Sequence, residues 1–290
     1  MFAISDIQVD RVLQAQLSGS TSFGASLLEK DYVITSVLEI VSRITPPTGS
    51  IQFGGGTSLV KAWRLPNRLS EDVDLKYAPH TGLSRNQQNQ SLRTFRAQLE
   101  EAFHHAGLAI NSRVGGEAPS EFFSVNLGYQ SRFESASPIE TLVRVECKRE
   151  SILVSPEPRP IQSIADIALG FQSQEVYLLC TRPEEIAAQK AWIVLGEIQF
   201  FTDRKRDTRH LFDLWQLNSI DLDWDVLRAC FRQVQQQRSQ RSFTAAFWQA
   251  ASSKLLEDVF ESELAGLTPD LPDFAEVLGV MRLFEQLLET

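Results

Sequence analysis

A glycine turn followed at short range by two carboxylates in alternate positions of an apolar run constrains this chain more than any other feature. The stretch reads Gly54-Gly55-Gly56-Thr57-Ser58-Leu59 and then, after a spacer, Arg68-Leu69-Ser70-Glu71-Asp72-Val73-Asp74-Leu75. Ile51-Gln52-Phe53 reads as a short strand ending at the glycines, and the residues from Thr57 to Trp63 can start a helix. Asp72 to Tyr77 reads as a second strand. Side chains alternate faces along a strand, so Asp72 and Asp74 project together while Val73 and Leu75 project the other way. Two carboxylates on one strand face repel each other unless a cation stands between them. Such a pair suits Mg²⁺, which binds through one or two carboxylates plus substrate phosphates. A glycine turn opening a helix offers backbone N–H groups to a phosphate. Together these predict metal-dependent chemistry on a nucleotide.

Two more segments carry candidate chemistry. In Thr141-Leu142-Val143-Arg144-Val145-Glu146-Cys147-Lys148 the apolar Val143, Val145 and Cys147 take one strand face, and Arg144, Glu146 and Lys148 take the other. If this strand lies beside Asp72 and Asp74, Glu146 completes a three-carboxylate set of the kind that holds attacking and leaving oxygens in line. Glu140 is the second choice, and a solvated face of alternating charge is the competing interpretation. Further on, Thr181-Arg182-Pro183-Glu184 has the form of a capping box, placing a helix start near Arg182. Lys190 then shares a stripe with Ile186, Ala187, Ile193 and Val194. A lysine on a buried face needs an anion, which a triphosphate provides, unless it snorkels to water.

The rest of the sequence sets the frame. At 290 residues, with 43% hydrophobic and 22% charged residues, it suits a globular protein of two domains. No apolar run reaches the length of a membrane span and the N-terminus lacks a signal core, so a cytoplasmic protein with no membrane contact is expected. The cysteines Cys147, Cys180 and Cys230 show no paired metal spacing, and only His104-His105 are adjacent histidines, so a zinc site is not expected. A net charge of −9 restricts any RNA contact to a local patch, best Arg204-Lys205-Arg206 with Arg209. A helix closes at Thr45-Pro46-Pro47-Thr48-Gly49, and Leu92, Phe95, Leu99 and Phe103 mark a second. Phe122–Tyr129, Glu140–Lys148 and Val176–Cys180 read as strands, with Ser155–Pro160 as a rigid proline loop. Everything after Thr181 reads helical: 183–197, 209–217, 223–237, 242–267 and 273–290. The expected architecture is α/β (α+β): a catalytic mixed sheet with flanking helices over 1–180, then a helical domain over 181–290. Tyr177, Trp192 and Trp215 could stack on a base, but an aromatic at helical spacing more often belongs to the core.

This set of motifs resembles the nucleotidyltransferase superfamily, and most closely its AbiEii/AbiGii-type toxin branch. The matching elements are Gly55-Gly56-Thr57-Ser58-Leu59, Arg68-Leu69-Ser70 and Glu71-Asp72-Val73-Asp74. To these add Pro183-Glu184-Glu185-Ile186-Ala187-Ala188-Gln189-Lys190 and Arg209-His210-Leu211-Phe212-Asp213-Leu214. Glu29-Lys30-Asp31-Tyr32 also resembles an element of this branch, or is an ordinary polar helix turn. The spacer before the aspartates is longer than in small aminoglycoside-modifying relatives, and His210 stands where many members of the branch have Asp. The resemblance implies transfer of a nucleoside monophosphate from an NTP to an acceptor, here RNA such as a tRNA 3′ end, by the toxin of a toxin–antitoxin or phage-defence pair with a cognate antitoxin protein. It implies Asp72, Asp74, Glu146, Lys190 and Asp213 as catalytic residues, and Asp72, Asp74 and Glu146 as ligands of Mg²⁺, with Mn²⁺ as the alternative. Gly55, Gly56, Thr57, Ser58, Arg68, Ser70 and Lys190 are implied as nucleotide-binding. A small-molecule nucleotidyltransferase and a nonenzymatic nucleotide-binding protein are the competing expectations.

Overall fold

The computed structural model describes residues 1–65, 68–114, 121–133, 141–171, 176–196, 208–238, 248, 254–265, 267–268 and 271–289. They form two compact units: one of Met1–Ile152 with Pro156–Thr181, the other of Leu153–Ser155 with Arg182–Thr290.

The first unit is built on a seven-stranded mixed sheet in the order β3-β4-β5-β2-β1-β7-β6. Its strands are β1 (Ser50–Gly54), β2 (Asp72–Ala78), β3 (Ala109–Val114), β4 (Phe122–Gly128), β5 (Leu142–Arg149), β6 (Glu157–Ile161) and β7 (Val176–Cys180). Its helices are α1 (Asp6–Leu17), α2 (Ala25–Ser42), α3 (Gly55–Lys61), α4 (Arg85–His105) and α5 (Ile164–Ala168). Period-two alternation puts Val73, Leu75, Phe123, Val125, Val143, Val145 and Cys147 in the core, together with Val33, Val37 and Val41 of α2 and Leu92, Phe95 and Phe103 of α4. Ser5 and Ser84 each form a capping box with a glutamine three residues on, and so start α1 and α4. The strand pairing that matters most is β2 with β5. They run parallel, and Asp74 lies opposite Glu146.

Three departures from the sequence reading have plain physical causes. Ser155–Pro160 is not only a loop: Glu157–Ile161 pairs with β7 as the edge strand β6, with Pro158 opposite Leu179 and Pro160 opposite Tyr177. An edge strand needs ladder bonds on one side only, so prolines whose missing N–H would face outward are tolerated there. The capping box at Thr181 does not form. The Arg182 carbonyl accepts the first helical bonds, from the backbone of Glu185 and Ile186. Glu184 is taken up by Arg182 (3.0 and 3.1 Å) and by the backbone N–H of Asp223. The helices α1 and α5 and the strand β3 carried no signal strong enough to be expected.

The second unit is helical in its described residues: α6 (Pro183–Gly196), α7 (Thr208–Leu217), α8 (Trp224–Arg238), α9 (Lys254–Leu264) and α10 (Phe274–Glu289). The helix α6 has no polar side. Ile186, Ala187, Ala188, Ala191, Trp192, Val194 and Leu195 are all buried, so Lys190 sits within a helix enclosed nearly all round rather than on an amphipathic stripe. Trp192 packs on Phe231, with ring centroids 6.0 Å apart, and belongs to the core, whereas Tyr177 on β7 is half exposed. No helix among the described residues is long and apolar enough to cross a membrane.

Candidate active site

The glycine turn and the carboxylate strand are in direct contact. Gly55 has φ +68°, a left-handed backbone that favours glycine. A Cβ placed there would lie 1.9 Å from Asp74 Oδ2, so the turn is glycine because the Asp74 carboxylate occupies the space of a side chain. Thr57 and Ser58 are buried, and their hydroxyls are engaged inside the fold. Thr57 Oγ1 lies 2.8 Å from Ser70 Oγ and donates to the Asp72 carbonyl, while Ser58 Oγ donates to the Gly55 carbonyl at 2.9 Å. Arg68, also buried, donates to the Leu69 carbonyl at 3.1 Å. The Arg-x-Ser element thus shapes the approach to β2.

On β2 and β5 the polar face carries Asp72 beside Arg144 and Asp74 beside Glu146 in register. Glu146 Oε1 is 3.9 Å from Arg144 Nη1, and Glu146 Oε2 is 3.6 Å from Lys148 Nζ. Among the described residues, no three His, Cys, Asp or Glu side chains stand close enough to grip one ion in this conformation. The donor set nevertheless suits a hard divalent cation. Asp72 and Asp74 offer oxygen ligands from one face, and burial pushes the Asp72 carboxyl above its usual range. Glu146 and Glu71 add to that rise, while Arg144 and Lys30 oppose it. A carboxyl that resists its own ionisation is one that a divalent charge would stabilise. Beside the turn, the buried Gln52 amide and Thr181 hydroxyl have no hydrogen-bond partner among the described residues, an uncommon state for buried polar groups. Glu140 and Arg204-Lys205-Arg206 lie outside the described residues.

In the second unit, Lys190 Nζ is 2.6 Å from Asp213 Oδ2 and 3.2 Å from His210 Nδ1. The Lys190 and Asp213 side chains are nearly inaccessible. A lysine ammonium only donates, so Nδ1 of His210 is the acceptor and its ring proton belongs on Nε2. The sequence supplied no role for His210. Its position one turn of helix from Asp213 is the signal that was available, since residues three apart on a helix share a face.

The sequence left Glu29-Lys30-Asp31-Tyr32 between a family element and an ordinary polar helix turn, and the fold shows what the four residues do. All four side chains are buried, and together they reach the 131–132 turn, Glu71, α3 and α5. Glu29 accepts from Ser131 Oγ (2.5 Å) and the Arg132 backbone (2.6 Å). Lys30 meets Glu71 at 2.8 Å. Asp31 meets Lys61 at 2.7 Å and accepts from the Ile164 backbone at 2.7 Å. Tyr32 donates to Asp166 at 2.7 Å.

A mixed sheet that presents Asp72, Asp74 and Glu146 on one face, with a glycine turn packed against Asp74, is the arrangement of a nucleotidyltransferase fold. Residues 45–289 match the profile of the family described as nucleotidyl transferase AbiEii toxin, Type IV TA system, and the chain belongs to that family. It is therefore a nucleotidyltransferase toxin by family, which carries with it an NTP substrate and a cognate antitoxin. Among solved structures it is similar to MenT4, a nucleotidyltransferase toxin from Mycobacterium tuberculosis. That likeness has a TM-score of 0.63 at 19% identity and covers 97% of this chain and 90% of that one. No curated protein matches the sequence.

Proposed function

We propose that this chain transfers a nucleoside monophosphate from an NTP to an RNA acceptor, such as a tRNA 3′ end, in a divalent-metal-dependent reaction, and that it acts in the cytoplasm. The observation that carries the metal dependence is the single face holding Asp72, Asp74 and Glu146, with Asp74 pressed against the glycine turn. Asp72, Asp74 and Glu146 would hold Mg²⁺ or Mn²⁺, which when bound supplies positive charge to the phosphates and lowers the pKa of a coordinated oxygen. Phosphoryl-type transfer depends chiefly on positioning and charge stabilisation, which is what the chain's own residues contribute. Gly55 and Gly56 let the backbone approach the phosphates, with the Thr57–Ser70 contact fixing the turn against β2. Lys190, held by Asp213 at 2.6 Å and His210 at 3.2 Å, would on the family resemblance offer its cation to the charge that builds on the leaving pyrophosphate. RNA as acceptor follows the family resemblance.

Incubation of the purified protein with each labelled NTP, Mg²⁺ and total tRNA tests this. Label in RNA is expected for the wild type, abolished by chelation and lowered about 10²–10³-fold or more in Asp74→Asn and Lys190→Ala, the loss typical when a transition-state charge partner is removed. Label appearing in a small molecule instead of RNA, or NTP binding with no transfer to any acceptor, would refute the proposal.

A further inference from the structure

We infer that Lys30 is a positioning residue for the transfer reaction: from α2 it grips Glu71 and so fixes the backbone from which Asp72 enters the carboxylate face. The inference rests on the nucleotidyl-transfer reading of that face. Lys30 is only 3% exposed, and its ammonium lies 2.8 Å from Glu71 Oε1. A buried ammonium is costly unless paired, so the fold resists any drift of Glu71 away from it. Successive side chains of extended backbone point to opposite sides. Glu71 turned toward α2 therefore leaves Asp72 aimed at the other face, where it stands beside Arg144 in the β2–β5 register.

The grip has a fixed origin. On either side of Lys30, Glu29 and Asp31 anchor α2 to the 131–132 turn and to the Ile164 backbone. Asp31 also holds Lys61 in the last turn of α3, the helix that begins at Gly55. One turn of α2 thus holds both arms of the site, the helix after the glycine turn and the residue before the first aspartate. Thr57 secures the same segment from the other arm through Ser70 and the Asp72 carbonyl. Removing the Lys30–Glu71 contact takes away one restraint on this segment, beside the Thr57 contacts and the β2–β5 ladder.

Lys30→Met keeps the length of the side chain and removes its charge. Hydrogen–deuterium exchange over residues 68–73, thermal stability, and transfer of labelled NTP to total tRNA are measured for wild type, Lys30→Met, Lys30→Arg, Glu71→Gln and the double variant. The expected result for Lys30→Met is faster exchange confined to 68–73, with kcat lowered about 10²-fold, the cost of an ångström-scale misplacement. The KM for NTP should stay within about twofold, since uniform binding is untouched. Lys30→Arg should restore most of kcat, and the double variant should be no worse than either single one, because the two residues act as one contact. Unchanged exchange over 68–73 in folded Lys30→Met, or additive losses in the double variant, overturns the inference. Should Lys30→Met fail to fold, Glu71→Gln decides by the same exchange readout, since Glu71 is partly exposed. A wild type that labels no RNA would refute the transfer reading, while the exchange result still decides whether Lys30 positions Asp72.

Discussion

At Gly55 two requirements coincide, and Asp74 enforces one of them. The backbone sits at φ +68°, and the place of a Cβ is taken by Asp74 Oδ2. Gly55→Ala therefore adds left-handed strain of about 1–2 kcal/mol and also forces the Asp74 carboxylate to move. A modest fall in Tm is expected with a loss of transfer of roughly 10²-fold, because on the proposed function the displaced group would be a ligand at the reacting site and not a packing group. Comparing Tm and kcat of the purified variant checks this; a variant with wild-type kcat would show that the position of Asp74 does not govern the rate. His210 makes a related point. Its residue type gave no role in sequence, and its value lies in the Nδ1 lone pair it presents to Lys190.

The second half of α2's first turns behaves as a bracket, which no hydropathy pattern announces. Glu29, Lys30, Asp31 and Tyr32 read in sequence either as a family element or as an ordinary polar helix turn, and all are buried in the fold. The Asp31–Lys61 pair is the deepest of these contacts, with side chains 2% and 1% exposed. Lys61 Nζ also donates to Thr35 Oγ1 at 2.7 Å and to the Asp31 carbonyl at 3.0 Å, so the ammonium is fully used. Lys61→Met leaves Asp31 buried without its counter-charge and should cost about 3–5 kcal/mol. Denaturant titration of the single variant, and of the double variant Lys61→Met/Asp31→Leu, measures it. The double variant should recover a large part of the loss, and a single variant as stable as wild type would show the bracket to be ornamental. At the same scale, β6 shows why a proline-rich stretch was expected as a loop. Proline forbids a central strand, but the edge position of β6 is a property of the sheet and not of its own residues.

Across the whole molecule, all three thiols are buried, Cys147 and Cys180 in the sheet unit and Cys230 in the helical one. Burial pushes the Cys180 thiol from its ordinary value near 9 up to about 12 and raises Cys147 as well. In the unfolded chain these thiols ionise from about pH 9, whereas in the fold they stay protonated. Their burial therefore contributes stability that is complete below that pH and is lost as pH rises toward 12. Stability should fall over this alkaline window, and Cys180→Ala should make the fall shallower. A thiol reagent at pH 8 should label the denatured chain quickly and the native one slowly. Rapid labelling of Cys147 in the native protein would contradict the packed sheet.

The elements of the site are legible in short stretches of the chain. Alternation along β2 and β5 dictated which carboxylates share a face, glycine dictated the turn, and five separate motifs in order dictated the family, because each of these is written within a few consecutive residues. The tertiary structure alone decided the partners: that β5 runs parallel beside β2 with Glu146 opposite Asp74, that Asp74 fills the space over Gly55, that Lys190 is shared between Asp213 and His210, and that a polar turn of α2 is buried. Strand neighbours and buried ion pairs join residues tens of positions apart, and their energies depend on which other groups exclude water around them. Local sequence carries the geometry of a residue, whereas desolvation belongs to its surroundings.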